Sequence, residues 1–197
     1  MILVRHGETV FNVLFGETRR DPGVEDPRLT ERGREQAAEA ARTLAKKEIT
    51  RIIASPYTRA VQTAHVIARA INVPIEIDAA IRERFAYVCD IGTPRPALAV
   101  RWPDYAFDHI DEIWWPDREE PIPAFEARCL AFRRRIAESP DWRTTAVITH
   151  WGVVRALTGE RIKNCEMRYH DPTVDPAVDP AIESNANAAL ESGQGTG

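Results

Sequence analysis

A chain of 197 residues and 22.2 kDa, 44% hydrophobic and 28% charged, suffices for one domain with a full core and leaves room for an insertion or a tail. It has no run of about 18 apolar residues to cross a bilayer, and Met1-Ile2-Leu3-Val4 is too short for a signal-peptide core. A net charge of −4 argues against nucleic acid and membrane as partners, and the scattered Cys89, Cys129 and Cys165 signal neither a disulfide framework nor a zinc site, so a cytoplasmic location is expected.

Met1 to Val4 is a continuous apolar run and reads as a short buried strand ending at Arg5. Gly7 to Arg28 has no clear period and is expected to be a long functional loop. From Thr30, a plausible N-cap, Ala37, Ala40, Ala41, Leu44 and Ala45 recur at helical spacing. Ile52-Ile53-Ala54 is a second strand. Ser55-Pro56 then reads as an N-cap followed by proline at the first helical position, opening a helix with Ala60, Ala64, Ile67, Ala68 and Ile71 on one face. Pro74 ends it, and Ile75-Glu76-Ile77 is a third strand.

Residues 85–120 lose all period and are rich in proline and aromatics, the mark of an irregular cap insertion. A helix follows Pro123, with Phe125, Cys129, Phe132 and Ile136 on its apolar face. Ala146 to Thr149 is a fourth strand with His150 just past its end. A short helix over 151–158 stops at Gly159, and 164–169 reads as an edge strand. The segment from Asp171 repeats Asp-Pro-x-(Val/Ile) three times, carries five acids and no base, and is expected to be disordered. The domain is therefore expected over 1–170, with the cap at 85–120 and an acidic tail over 171–197.

Strands alternating with helices predict an α/β three-layer sandwich with a mostly parallel central sheet. In such sheets ligands bind beyond the carboxyl ends of the strands. Arg5-His6, Ser55, Arg82-Glu83 and His150 each follow a strand, so four strands deliver polar groups to one edge. Two histidines and a carboxylate could hold a metal, but neighbouring arginines would repel it. A phosphate dianion fits better. Arg5 and Arg59 would clamp its oxygens, aided by the amides at the start of the Ser55 helix. A neutral histidine can attack phosphorus, and a carboxylic acid can protonate the departing oxygen and later activate water. Arginine bias fits this partner: only Lys46, Lys47 and Lys163 are lysines among 26 cations.

These residues carry a family likeness. Arg5-His6-Gly7-Glu8-Thr9 with Asn12 resembles the RHG(E/D)(T/S)xxN signature of the histidine phosphatase superfamily, whose fold is phosphoglycerate mutase-like. Asp26-Pro27-Arg28-Leu29-Thr30 with Gly33 and Gln36-Ala37 resembles its DxxLTxxGxxQA. Ser55 to Ala64 resembles SPxxRAxQTA, and Asp78 to Glu83 resembles DxxLxE. Val147 to Gly152 resembles the strand that delivers the second histidine. The order is the family's, over residues 1–170.

The resemblance implies that His6 is the phosphohistidine nucleophile. Arg5, Arg59 and His150 would hold the phosphoryl oxygens, with Asn12 and Thr9 binding from the loop. Glu83 would be the proton donor, with Glu8 and Glu76 as the nearby alternatives. It implies a metal-independent phosphatase of a small phosphate monoester, without cofactor. The alternatives are a cofactor-dependent mutase on the same fold and a non-catalytic phosphate-binding protein. The short, acidic segment 85–120 suits a mutase poorly. Trp151 departs from the family, which often has glycine directly after the second histidine. Neither the substrate nor the oligomeric state is written in the sequence.

Overall fold

The computed structural model describes residues 1–174. Five strands form one sheet in the order β3-β2-β4-β1-β5. They are β1 (Ile2–Arg5), β2 (Arg51–Ala54), β3 (Ile75–Ile77), β4 (Thr145–Thr149) and β5 (Met167–Tyr169). The first four run parallel, and β5 lies antiparallel on the β1 edge. Six helices surround them: α1 (Val10–Thr18), α2 (Glu31–Leu44), α3 (Thr58–Ile71), α4 (Arg95–Arg101), α5 (Ile122–Ala137) and α6 (Trp151–Thr158). The expected α/β sandwich, with a mostly parallel sheet, is therefore what forms.

The centres of β1, β2 and β4 are apolar because both faces of the sheet are covered there, and successive side chains alternate between the two. Val4, Ile52, Ala54, Ala146 and Ile148 join a core with α2 and α3. Their neighbours Leu3, Ile53 and Val147 join the opposite core with Phe125, Cys129 and Phe132 of α5 and Val153, Val154 and Leu157 of α6. Thr30 caps α2 by accepting from the Gly33 amide at 2.9 Å, and Gly159, at φ +72°, ends α6.

Three expectations are corrected. The segment 7–28 is not a loop throughout, because Val10–Thr18 is helical. Thr9 and Asn12 form a capping box, each side chain bonding the other's backbone amide. The helix shows no periodicity because Val10, Val13 and Leu14 are apolar yet exposed. The helix after β2 opens at Thr58, with Tyr57 at the cap position, so Ser55 is not its N-cap. A carboxylate already sits there: Asp26 accepts from the Thr58 amide at 2.8 Å and from its hydroxyl at 2.6 Å. That helix end is thus occupied by the protein's own anion.

The third correction concerns residues 85–120. They are irregular only in part, with a 3₁₀ turn at Val88–Asp90 and helix α4. Leu98, Phe107, Ile110 and Trp114 enter the α2–α3 core. Trp114 packs edge-on against Tyr57 at 4.6 Å and donates its indole N–H to the Thr93 carbonyl at 2.9 Å. Residues 171–174 form a turn, while the rest of the segment expected to be disordered lies outside the described residues.

If the insertion is core, Trp114→Ala should cost about 3–5 kcal/mol in urea unfolding, the range for deleting a large buried aromatic. The half-buried Trp115→Ala should cost clearly less.

Candidate active site

The carboxyl ends of β1 and β4 lie side by side, with Arg5 opposite Thr149 in the register. The next residues, His6 and His150, therefore meet, their ring centroids 5.2 Å apart. A pocket of about 680 Å³ opens over His6. Its walls come from the β1 end, α1, Arg59 of α3, the loop after β3, the start of α5 and one side of α6.

His6 is almost fully buried, and its Nδ1 lies 2.7 Å from the Gly7 carbonyl oxygen. A carbonyl only accepts, so Nδ1 carries the proton. In the neutral ring the lone pair is then on Nε2. Burial, then Arg59 and Arg5, hold this imidazole well below the usual histidine range, while its bond to Gly7 acts the other way. The ring is kept neutral at physiological pH.

Gly7 holds that turn. Its amide donates to Thr63 Oγ1 at 3.0 Å, and a Cβ on it would lie 2.5 Å from the Gly33 carbonyl oxygen. Gly33 is equally constrained, since its own Cβ would lie 2.1 Å from the Glu8 carbonyl oxygen. The two glycines let the β1 turn and the start of α2 touch backbone to backbone. Gln36 and Gln62 clamp the same region by accepting from the Glu8 and Leu29 amides, both at 2.9 Å.

Arg59 is buried and heavily bonded. It donates to His150 Nδ1 at 3.4 Å, to the Cys89 carbonyl at 2.8 Å and to Asp90 Oδ1 at 3.1 Å. Its guanidinium also lies over the Tyr57 ring at 4.1 Å. Two of its five N–H groups remain for an anion in the pocket. Arg5 spends one terminal nitrogen on the Ile162 carbonyl at 3.0 Å, and its Nε is buried without a protein partner.

His150 departs from expectation. It is fully buried and is not among the residues that line the pocket. Its Nε2 lies 2.8 Å from Ser55 Oγ, and its Nδ1 accepts from Arg59. Accepting from a guanidinium requires the neutral ring, and burial with the nearby Arg59 pushes its pKa well down. In this arrangement His150 touches Arg59 and His6 from behind. Ser55, expected at a helix cap, anchors this histidine instead.

Glu83 lines the pocket. Its two oxygens accept from the Arg84 amide at 2.9 Å and the Gly152 amide at 3.0 Å. Burial, and then the Asp90 charge, raise its pKa, opposed by those two backbone bonds and Arg59. The other carboxylates considered lie elsewhere: Glu8 accepts from the Thr30 hydroxyl at 2.7 Å, and Glu76 pairs with Arg51 at 3.3 Å. Asn12 lines the pocket, and its Oδ1 accepts from the Thr9 amide and from Asn164, which leaves its NH₂ to donate. Thr9 also lines it, but its hydroxyl oxygen caps α1 and so acts on the site through Asn12.

Asp90 is the residue that sequence reasoning missed. It is 2% exposed, and Oδ2 accepts from the Ala86 and Tyr87 amides, both at 3.1 Å, while Oδ1 pairs with Arg59. Its only signal was an acid inside an aromatic segment. Trp114 and Trp115 border a different cavity. Among the described residues no group of three or more His, Cys, Asp or Glu side chains could hold a metal ion.

The model of the histidine phosphatase superfamily (branch 1) matches residues 1–177. The chain is 28% identical to a glucosyl-3-phosphoglycerate phosphatase of Mycolicibacterium vanbaalenii, over 80% of this chain and 72% of that protein. It is 30% identical to phosphoglycerate mutase-like protein 4 of Arabidopsis thaliana, over 80% and 68%. A mycobacterial glucosyl-3-phosphoglycerate phosphatase solved with VO3 superposes with a TM-score of 0.61 at 23% identity, over 85% and 88%.

Gly152 supplies a test of the Glu83 geometry. A Cβ there would sit 2.2 Å from Glu83 Oε1 and 3.3 Å from the Phe125 ring. Gly152→Ala should displace the carboxylate and lower kcat at least tenfold, with far-UV circular dichroism unchanged. Trp151→Gly, which leaves the Glu83 contact intact, should affect kcat much less.

Proposed function

The chain belongs to the histidine phosphatase superfamily, branch 1, and on that premise we propose that His6 is the phosphoryl acceptor in a metal-independent hydrolysis of small phosphate monoesters. The observation that carries this reading is the locked tautomer. Nδ1 is tied to the Gly7 carbonyl, so the Nε2 lone pair serves a pocket that also holds Arg5, Arg59 and Glu83.

The free N–H groups of Arg5 and Arg59 and the Asn12 NH₂ bind the phosphoryl oxygens. They favour the charge that develops in the transition state. Nε2 attacks phosphorus as the P–O ester bond breaks, and protonated Glu83 gives its proton to the departing oxygen. Glu83, now a carboxylate, takes a proton from water while that water attacks phosphorus. The P–N bond breaks, releasing inorganic phosphate and neutral His6. His150 acts through Arg59, holding its Nε in place. The free thiols support a cytoplasmic setting.

The phosphatase is favoured over a mutase by the cations available. Beyond Arg5 and Arg59, the described lining offers only Arg84 and Arg155. Arg84 is already bonded to Glu119 at 2.9 Å. A doubly phosphorylated cofactor would need more.

Phosphate release should persist with excess chelator. His6→Ala should abolish turnover and the acid-labile phosphoryl label; a label retained in that variant would refute the assignment.

The pH profile follows from two opposed shifts. Rate rises as His6, with its lowered pKa, loses its proton, and falls as Glu83, with its raised pKa, loses its own. The result is a bell with an acidic to neutral optimum. Glu83→Gln should cut turnover of an alkyl phosphate severely. With p-nitrophenyl phosphate it should give a phenolate burst and then a slow phase, because that leaving group needs no acid while water attack still needs a base. Equal loss on both esters without a burst would place the acid elsewhere.

A further inference from the structure

The pocket is far larger than a phosphate. At about 680 Å³ it has the size of sites that enclose whole drug-sized molecules. Its depth is polar and basic, but the walls further out are not. Phe11 and Phe15, one helical turn apart on α1, stack at 5.3 Å. Tyr87 stands edge-on to Phe15 at 5.5 Å and tilted to Phe11 at 5.9 Å. Ile122 borders the same space and is 56% exposed, and Tyr87 is 46% exposed. Apolar surface of this kind gains by being covered.

Charges in the outer pocket do not form a second anion site. Arg84 donates to Glu119 and to the Glu120 carbonyl, both at 2.9 Å. Arg155 lies over the Trp151 ring at 5.2 Å and shares the lining with the acidic Glu126. A leaving group bearing a carboxylate and many hydroxyls would face aromatic rings and one exposed arginine.

The wall is also stiff. Phe11 is buried beneath Phe15, α1 is capped by Thr9, and the Tyr87 amide is held by Asp90. Such a wall is preorganised for a flat partner and little able to repack.

We infer that this pocket selects phosphate monoesters with a flat, apolar, aromatic leaving group, and that Phe15 and Tyr87 determine that specificity. The inference rests on the phosphatase reading and adds the substrate class to it. Aromatic rings seat offset or edge-on against the Phe15–Tyr87 pair, with phosphorus placed at His6.

The test must separate recognition from leaving-group chemistry, because aryl phosphates react faster on any phosphatase. Ethyl phosphate and 2-(1-naphthyl)ethyl phosphate both release a primary alkoxide. The wild-type chain should favour the naphthyl ester by roughly 100-fold in kcat/KM, mostly through KM. Phe15→Ala and Tyr87→Ala should each reduce that ratio about tenfold. Leu14→Ala, on the same helix but outside the lining, should leave it as in wild type, and melting curves should show all variants folded. A wild-type ratio near one, or an unchanged ratio in both aromatic variants, would overturn the inference. So would preference for a phosphoglycerate-type ester that is lost in Arg155→Ala. Failure of the wild-type chain to hydrolyse any ester would overturn the phosphatase reading as well.

Discussion

The buried pair of Arg59 and Asp90 is the constraint on which the site depends. A guanidinium in this depth, beside two histidines and Arg5, is sustained only with a partner charge and filled hydrogen bonds. Asp90 provides the charge and one of the hydrogen bonds, and the Cys89 carbonyl and His150 accept others. The same carboxylate gathers the Ala86 and Tyr87 amides, so the loop after β3 folds back onto α3. That fold carries both Glu83 and Tyr87, the latter against Phe11 and Phe15 of α1. Its charge also raises the Glu83 pKa. One side chain thus ties Arg59 to the loop that carries Glu83 and Tyr87.

Much of this was legible because it follows from local pattern. The strands are short apolar runs with a polar residue after each, and His6, Arg59 and Glu83 all reach the pocket that this ordering implies. The illegible parts depend on distant partners. Helix α1 hides because exposed Val10, Val13 and Leu14 erase the contrast between its faces. Ser55 reads as a cap by local rule, yet Asp26, 32 positions away from Thr58, holds that helix end and frees Ser55 for His150. Asp90 offers only the weak signal of an acid inside an aromatic segment, because its partner Arg59 is distant in sequence. The direction in which His150 faces is set by Arg59 and Ser55, neither of which neighbours it in sequence.

Several motif residues turn out to serve shape rather than chemistry. Gly7 and Gly33 permit a backbone contact that any side chain would block, and Gly152 leaves room for the Glu83 carboxylate. Gln36 and Gln62 tether loops through their side-chain oxygens. A chain could keep all its charged groups and still lose the site through one added methyl.

The strand order carries a consequence for biogenesis. β1 lies between β4 and β5, so Leu3 pairs with Val147 and Arg168 and with nothing nearer in sequence. During synthesis the strand that leads to His6 therefore waits unpaired while most of the chain emerges. Closing so long a loop is slow, and contacts of this range delay folding more than they affect final stability. β2 and β3 can pair early with α3 against them, as a scaffold without catalytic power. The site is complete only when the last strands flank the first.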